Sequence, residues 1–226
     1  MRKLATTKKI SNIQPIEGAD KIELATIDGW NVVVAKNVGH KVGDVVVYCE
    51  IDSFLPIEPE FEFLRKSSYR KLPNGVEGFR LRTIKLRGQI SQGLIIPLED
   101  ALNVMERRSQ DYVTKAEIQM IRGLTNLVDN PCNVTELLGI TKWELPIPAN
   151  LSGQVKGDFP SFIKKTDEER IQNLTKEYSG WKDIPFYVTE KLDGSSATYY
   201  LNNGEFGVCS RNLELIETDD NTFWKV

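Results

Sequence analysis

Glycine turns divide the first hundred residues into short runs rich in β-branched residues, and this feature limits what the chain can fold into. Runs of this kind, alternating or wholly apolar, predict strands rather than helices. They are Lys21–Ile27, Asn31–Ala35, Val45–Tyr48, Phe79–Arg87 and Leu94–Pro97. The Asp28-Gly29 pair after the first run is a typical signal for a two-residue hairpin loop. We therefore predict about five short strands joined by tight turns.

Positive charge is concentrated in the second half of this strand-rich part. Residues 64–90 carry eight cations against the single acid Glu77, although the whole chain has a net charge of −3. The cations are Arg65, Lys66, Arg70, Lys71, Arg80, Arg82, Lys85 and Arg87. A local basic patch predicts binding to a polyanion, and the alternative is a solvated strand edge that lysines protect from aggregation. Short strands with one cationic face predict a small closed barrel, of which the OB-fold is the most economical example.

Composition removes several functional classes. No run approaches the roughly 20 apolar residues that a membrane span needs, and no apolar stretch follows the basic start, so we expect an intracellular protein, cytoplasmic or nuclear. Three widely spaced cysteines predict neither a disulfide framework nor a zinc site. With His40 as the single histidine, we expect neither a His-centred catalytic triad nor a His-rich metal site. Any chemistry must use lysine, carboxylates or metal-bound water.

The pattern after Pro97 predicts a mixed, β-rich α+β fold in three parts. We expect an OB-fold nucleic-acid-binding domain over 1–105, a helical extension and linker over 106–150, and the first part of a second domain over 151–226. Helices are expected over Asp111–Val128 and over Lys165–Leu174, the second begun by a Thr166–Glu169 capping box. Val134–Gly139 predicts one or two helical turns ended by glycine. Strands are expected over Phe186–Leu192, Ser196–Leu201 and Glu205–Arg211.

The segment 189–196 carries the strongest chemical signal. Alternation along its incoming strand would place Tyr187, Thr189, Lys191 and Asp193 on one face. If Asn203-Gly204 forms a two-residue loop, the returning strand would pair Ser196 with Arg211. The lysine, the carboxylate and the arginine would then surround one small pocket.

Such a set of side chains suits attack by an amine on a phosphate. Lowering the lysine pKa by about three units from about 10.4 costs about 4 kcal/mol, which a nearby metal complex or desolvation could supply. Asp193 could hold such a metal through water, and Arg211 could neutralise phosphate oxygens. The alternative is an exposed turn lysine beside a surface aspartate.

Glu190-Lys-Leu-Asp-Gly194 resembles motif I of the covalent nucleotidyltransferases, which include ATP-dependent DNA and RNA ligases and capping enzymes. Cys209-Ser-Arg-Asn212 resembles the motif that follows it in RNA ligases. The barrel-like segment precedes both, whereas most members of the superfamily place it afterwards. Together with Thr83–Gly93 and Phe159–Arg170, this order resembles the OB-first RNA ligases of the Deinococcus/Naegleria type.

The resemblance implies a ligase that uses ATP and Mg²⁺ or Mn²⁺. Lys191 would take AMP from ATP as a lysyl-adenylate and pass it to an RNA 5′-phosphate, after which a 3′-hydroxyl would displace AMP and seal the strand. Glu190 matches a position near the adenine, and Gly194 completes the nucleotide-binding motif. Asp193 matches a residue that orders the waters of a divalent metal, and Arg211 would contact the ribose or phosphate.

Three other assignments accompany this reading. Glu169 and Arg170 would serve the triphosphate or its metal, or would be ordinary helix-surface charges. RNA with 3′-OH and 5′-phosphate ends, expected as a nicked duplex, would bind four of the cations in a salt-dependent way. Those four are Arg80, Arg82, Lys85 and Arg87. The sequence does not identify a protein partner.

Two other functions are possible for this sequence, and the chain differs from the superfamily pattern in one respect. Ile16–Leu24 also resembles the opening of tRNA-binding OB domains, so the chain could be a non-catalytic RNA- or tRNA-binding module. An NAD-dependent DNA ligase is a weaker reading, because no nicotinamide-binding segment is recognisable. Only 35 residues follow Lys191, and the later superfamily motifs are absent from them. We therefore expect the N-terminal portion of a ligase that lacks part of its active site and does not seal RNA alone.

Overall fold

The computed structural model describes residues 3–72, 74–109, 111–123, 131–144, 153–164, 170–174, 177–190 and 194–225. The chain divides into two compact units. The first comprises Met1–Glu144 with Glu169–Tyr178, and the second comprises Leu145–Glu168 with Ser179–Val226. None of the helices in the described ranges is long and apolar enough to cross a membrane. The predicted domain limits at 105 and 150 stay predictions.

The first unit is built from twelve described strands, all paired antiparallel. They are β1 Ala5–Lys9, β2 Asn12–Pro15, β3 Ile22–Ile27, β4 Trp30–Ala35, β5 Val45–Cys49, β6 Ser53–Leu55, β7 Tyr69–Lys71, β8 Glu77–Arg80, β9 Ile84–Leu86, β10 Gln89–Ser91, β11 Leu94–Pro97 and β12 Thr141–Lys142. Their orders are β1-β5-β11, β2-β3-β4, β12-β6-β8-β7 and β10-β9. The predicted β-rich class is confirmed.

The hairpin predicted at Asp28-Gly29 is confirmed. Ile27 pairs with Trp30 across a two-residue loop, and Asp28 takes a φ of 48°, as this tight loop requires. The alternating side chains of β4 then enter the core, where Trp30 and Tyr48 are each only 1% exposed. Because one face is buried, the register of this hairpin is fixed.

The predicted strand Phe79–Arg87 is interrupted, which corrects the sequence interpretation. β8 ends at Arg80 and β9 begins at Ile84. Leu81 still donates its N–H to the Ser53 carbonyl at 2.9 Å, after which the chain leaves β6 and pairs with β10 around Arg87. The segment therefore changes its pairing partner, and its alternating pattern does not reveal that change.

Four described helices accompany the strands: α1 Arg65–Ser68, α2 Leu98–Arg108, α3 Tyr112–Gly123 and α4 Tyr178–Trp181. Four 3₁₀ turns cover Lys36–Val38, Pro59–Leu64, Ile171–Asn173 and Thr222–Trp224. α3 starts where the sequence predicts it, since Asp111 accepts a hydrogen bond from the Thr114 N–H at 2.8 Å. The predicted continuation over 124–128 lies outside the described residues.

α2 is a helix that sequence analysis missed. Its buried side chains belong to the same core cluster as those of α3 and of the strand-rich part of the first unit, Ala5–Pro97 (the barrel). They are Leu98, Ala101, Leu102, Val104 and Met105. The helical turn predicted at Val134–Gly139 is confirmed, because Leu138 donates to the Val134 carbonyl and Gly139 ends the turn with a φ of 63°. The region after the barrel therefore adds a helical layer to its core.

The second unit contains one antiparallel sheet in the order β13-β16-β15-β14. Its strands are β13 Val155–Asp158, β14 Thr198–Asn202, β15 Glu205–Cys209 and β16 Leu213–Leu215. The strand predicted over Phe186–Leu192 is wrong for Phe186–Glu190, which have no regular structure. Tyr187 is 99% exposed and Val188 is 96% exposed, and no strand within the described ranges pairs with them. A β-rich sequence forms no strand without a pairing partner.

The helix predicted over Lys165–Leu174 is wrong for its described part, while 165–169 and the capping box lie outside the described residues. Arg170 is extended, with φ −74° and ψ 137°, and only Ile171–Asn173 forms a 3₁₀ turn. The Gly29 N–H donates to the Gln172 carbonyl at 3.1 Å. Contacts with the barrel therefore override the local helix signal.

Candidate functional site

The predicted nucleophile and its metal-ordering neighbour, Lys191 and Asp193, lie outside the described residues. Glu190 and Gly194, which flank them, are exposed and have no regular structure. Alternation was predicted to place Tyr187, Thr189, Lys191 and Asp193 on one face of a strand. This prediction is wrong for Tyr187 and Thr189, which do not lie in a strand. The chemical roles of Lys191 and Asp193 stay predictions.

The hairpin after this motif has the predicted loop. Asn202 pairs with Glu205, and Asn203 and Gly204 both take positive φ values, 50° and 87°, as a two-residue loop of this type requires. The register continues to Thr198 and Cys209. The predicted pair of Ser196 with Arg211 does not form, because β15 ends at Cys209.

Arg211 instead occupies the tight turn between β15 and β16. The Ser210 N–H donates to the Leu213 carbonyl at 2.9 Å, and the Leu213 N–H donates back to Ser210 Oγ at 3.3 Å. The Phe159 N–H donates to the Asn212 carbonyl at 2.9 Å. Arg211 is exposed on a turn held by these bonds, so its side chain is accessible to a ligand.

A polar network lies on one face of the same sheet. The Tyr200 hydroxyl donates to Glu214 Oε1, and Lys156 Nζ lies 2.8 Å from that oxygen. The hydrogen bond from Lys156, and then the one from Tyr200, hold the pKa of Glu214 below its usual range. The same contacts raise the pKa values of Lys156 and Tyr200. At neutral pH the three groups are thus an ammonium, a carboxylate and a neutral phenol.

The Tyr200 ring covers Gly207, its cross-strand neighbour on β15, and a Cβ on Gly207 would overlap the ring. Phe162 meets Tyr200 edge-on, with ring centroids 5.2 Å apart. Sequence analysis missed this network. The hairpin register would have placed Tyr200 opposite Gly207, but nothing in the pattern indicated that β16 brings Glu214 beside them.

Arg170 lies in a segment, Arg170–Leu174, that is bound to the barrel of the first unit. Asn173 Oδ1 accepts from Trp30 Nε1 at 2.6 Å, and Asn173 Nδ2 donates to Glu50 Oε1 at 2.6 Å. Arg170 Nη2 is 3.5 Å from Asp52 Oδ2, and its guanidinium is 5.5 Å from the Trp30 ring centroid. Arg170 is therefore an ordered, barrel-contacting residue and not a helix-surface charge. Glu169, its predicted companion, lies outside the described residues.

The four cations predicted to bind RNA fall into two groups. The Arg80 guanidinium lies 5.0 Å from the Trp143 ring centroid, and Trp143 packs against Phe54 with centroids 5.4 Å apart. The other three are exposed on and beside the β9–β10 hairpin. They are Arg82, Lys85 and Arg87. Within the described ranges none of these three has a carboxylate partner.

Two further cations of the basic stretch are already paired. Arg65 Nε lies 2.6 Å from Glu62 Oε2, and Lys71 Nζ lies 3.0 Å from Glu77 Oε1. These ion pairs reduce the positive electrostatic potential at the start of residues 64–90. The positive potential is therefore strongest at the β9–β10 hairpin. No cluster of three potential metal-ligating side chains occurs in the part of the chain that the structure describes.

Two parts of the chain match known protein families. A family described as an OB-fold domain matches residues 4–98, and the RNA ligase family matches residues 184–226. The Naegleria gruberi RNA ligase solved with PPi is 44% identical, with a TM-score of 0.71; the match covers 100% of this chain and 60% of that chain. No match to a curated protein was found.

Two variants of the same Naegleria gruberi RNA ligase give similar results. One, solved with AMP and Mn, is 44% identical with a TM-score of 0.72 over 99% of this chain and 60% of that one. The other, solved with ATP and Mn, is 44% identical with a TM-score of 0.69 over the same shares. The chain therefore spans about 60% of the length of these ligases.

These matches confirm the predicted OB-fold and the predicted order of the two domains. The barrel supplies the OB-fold match. Strands β14, β15 and β16 with the Arg211 turn lie within the RNA ligase match, and β13 precedes it. The identity extends over the whole chain and not over one motif. Over its whole length the chain is similar, in sequence and in fold, to the Naegleria gruberi RNA ligase, with an OB-fold match in its first part and an RNA ligase match at its end.

Proposed function

We propose that this chain supplies the RNA-binding barrel and part of the catalytic domain of an ATP-dependent RNA ligase. The observation that carries the proposal is 44% identity, over the whole chain, to a ligase whose structures contain PPi, AMP, ATP and Mn. The alternative, a non-catalytic RNA- or tRNA-binding module, is not favoured because the RNA ligase family matches the segment that contains Lys191.

In the proposed first step, the neutral Lys191 amine attacks the α-phosphorus of ATP. A phosphorus–nitrogen bond forms, the bond to the pyrophosphate oxygen breaks, and the amine loses its proton to solvent. Glu190 would lie near the adenine, and Arg211 would neutralise an oxygen of the reacting phosphate. Arg170 and Glu169 would serve the triphosphate.

A divalent Mg²⁺ or Mn²⁺ ion would neutralise phosphate charge and favour the unprotonated lysine. The ion would be held through water by Asp193 and by the phosphates of the substrate, as suits a cation that keeps several of its waters. In the later steps AMP passes to an RNA 5′-phosphate, and the 3′-hydroxyl displaces it. A nicked duplex is the substrate that we propose.

Intact mass spectrometry after incubation with ATP and Mn²⁺ or Mg²⁺ tests the proposal. It needs this chain and a completed ligase, in which the chain is joined to the portion of the Naegleria gruberi RNA ligase outside the match. We expect the completed ligase to gain one AMP, and this chain alone to seal no RNA. Lys191→Ala should abolish the gain. Lys182→Ala, an exposed lysine of the same unit, should retain it. No gain in either form would contradict the ligase mechanism.

We also propose that the β9–β10 hairpin binds the RNA backbone. Arg82, Lys85 and Arg87 are exposed and carry charge without carboxylate partners in the described ranges, so they can replace the counterions of phosphates. Arg80, whose guanidinium lies over Trp143, would contribute less. Phosphate contacts of this kind tolerate any sequence and weaken with salt.

Nicked-duplex binding measured over a range of salt concentrations tests this surface. Changing Arg82, Lys85 and Arg87 to Gln should make the plot of log affinity against log salt shallower by about 0.9 per lost phosphate contact. The matched control changes Arg65, Lys66 and Lys71, of which two are paired, and should have a smaller effect. Equal effects of both triple variants would contradict the assignment.

A further inference from the structure

We propose that Tyr200, Glu214 and Lys156 are positioning residues that hold the Ser210–Leu213 turn, and with it Arg211, for contact with the nucleotide. This inference rests on the proposed function of Arg211. The network touches no reacting atom in the proposal. It acts by fixing the strands from which the turn projects.

Glu214 lies at the base of that turn. It pairs with Cys209 across the β15–β16 ladder, so the two residues enclose the turn that carries Arg211. The Glu214 side chain is only 14% exposed, and such a carboxylate needs partners because desolvation disfavours its charge. Lys156 and Tyr200 supply them. The position of the turn is therefore coupled to a charged hydrogen-bond network.

The partners of Glu214 come from opposite edges of the sheet. Lys156 lies on β13 and Tyr200 lies on β14, the two outer strands in the order β13-β16-β15-β14. Tyr200 reaches Glu214 by passing over β15, and it can do so because Gly207 has no side chain there. One carboxylate thus connects both edges of the sheet to the strand that leaves the turn.

Buried apolar packing is limited in the described part of this sheet, and the ring cluster of Tyr199, Phe206 and Trp224 lies on the face opposite the network. The buried apolar side chains described in the second unit are Val208, Cys209 and Leu215. Ser210 Oγ and the Phe159 N–H add polar contacts to the turn itself. Loss of one hydrogen bond in the network should therefore shift Arg211, whereas loss of a bond elsewhere on the sheet should not.

Tyr200→Phe removes only the hydroxyl, and Tyr199→Phe is its matched control. The neighbouring Tyr199 hydroxyl donates to the Phe223 carbonyl at 3.0 Å and belongs to the opposite face of the sheet. The rate of AMP transfer to the completed ligase is measured against ATP concentration. We expect Tyr200→Phe to raise the apparent KM for ATP about five- to tenfold, which is less than the full value of a hydrogen bond to a charged group because the effect reaches the nucleotide through Arg211. Tyr199→Phe should leave it unchanged.

A double-mutant cycle separates positioning from general stability. In an Arg211→Ala background, Tyr200→Phe should have almost no further effect on KM, because its effect is transmitted through Arg211. Equal KM increases for Tyr199→Phe and Tyr200→Phe, or full additivity with Arg211→Ala, would overturn the inference while the ligase function stands. A wild-type completed ligase that gains no AMP would overturn the proposed function, and this inference with it.

Discussion

The two units of this chain are stabilised in different ways. All but three of the buried apolar side chains in the described ranges belong to the first unit, where barrel strands and helices α2 and α3 share one core cluster. The second unit has those three buried side chains and the polar network of Glu214. It also has Gly207, whose lack of a side chain leaves room for the Tyr200 ring. Apolar burial stabilises in proportion to area, whereas a network depends on every member being satisfied. The units should therefore respond to different substitutions.

The largest expected effect is in the barrel core. Phe61 is 0% exposed and Phe186 is 65% exposed. Phe61→Ala should destabilise the first unit by about 3–5 kcal/mol, and Phe186→Ala should change stability by less than about 0.5 kcal/mol. Hydrogen exchange resolved by segment and measured in increasing urea reports each unit separately. Similar losses for both variants would contradict the proposed difference between the units.

A smaller effect is expected where Arg170–Leu174 is bound to the barrel. Asn173→Ala removes a hydrogen-bond acceptor from Trp30 and a donor to Glu50, which is 3% exposed. We expect the free energy of unfolding to fall by about 2–3 kcal/mol, because buried polar groups that are left without hydrogen bonds destabilise the folded state. Gln172→Ala is the control, since Gln172 contacts Gly29 through its backbone carbonyl. Thermal unfolding of both variants is the measurement, and equal melting temperatures would contradict the prediction.

The barrel-bound segment also shows why local signals were insufficient. The Thr166–Glu169 capping box predicted a helix through Leu174, yet Arg170 is extended. Asn173 binds partners more than 120 residues away in sequence, and no local pattern encodes them. The β3–β4 and β14–β15 loops were predictable because Asp28-Gly29 and Asn203-Gly204 determine their own backbone. A turn whose backbone is determined by its own residues can be predicted from the sequence, whereas contacts between segments far apart in sequence cannot.

The same distinction applies to the candidate site. Lys191, Asp193 and Arg211 came from motif resemblance, and the pairing proposed for Arg211 failed because β15 turns into β16 two residues early. α2 was missed although its apolar spacing, at Leu98, Leu102 and Met105, is that of a helix. The Glu214 network could not be predicted from the sequence pattern, because its three side chains meet only when the order of the four strands in the sheet is known. The sequence therefore suggested candidate reactive residues, which stay predictions, and did not reveal the contacts that support Arg211.

A third test breaks the network of the second unit at its glycine. Gly207→Ala adds a Cβ where the Tyr200 ring lies, whereas a Cβ at Gly157 on the same sheet meets open space. The Tyr200 ring must move away from Glu214, so we expect the stability of the second unit to fall by about 1–2 kcal/mol. Gly157→Ala should be nearly neutral. Hydrogen exchange of β14 and β15 amides measures the effect, and equal protection in both variants would show that the ring contact is unimportant.

The smallest expected effects are two separate acid sensitivities. Burial lowers the pKa of His40 in the first unit despite nearby Asp44, Glu23 and Asp100. The unfolded chain then takes up a proton first, so stability should decline as the pH falls below about 6.5. Lys156 and then Tyr200 lower the pKa of Glu214, so its contribution persists above about pH 4.3 and is lost as the pH falls through the lowered pKa.

Two substitutions separate these acid sensitivities. His40→Gln should remove the decline of the first unit near pH 6 and leave the second unit unchanged. Glu214→Gln should weaken the second unit at neutral pH and flatten its response below pH 4.3. The effect should amount to a few tenths of a kcal/mol for His40, which is partly solvated, and to rather more for Glu214, whose side chain is only 14% exposed. Segment-resolved hydrogen exchange, corrected for the pH dependence of intrinsic exchange, is the measurement. If either variant changed the pH response of the other unit, the two units would share one stabilising network.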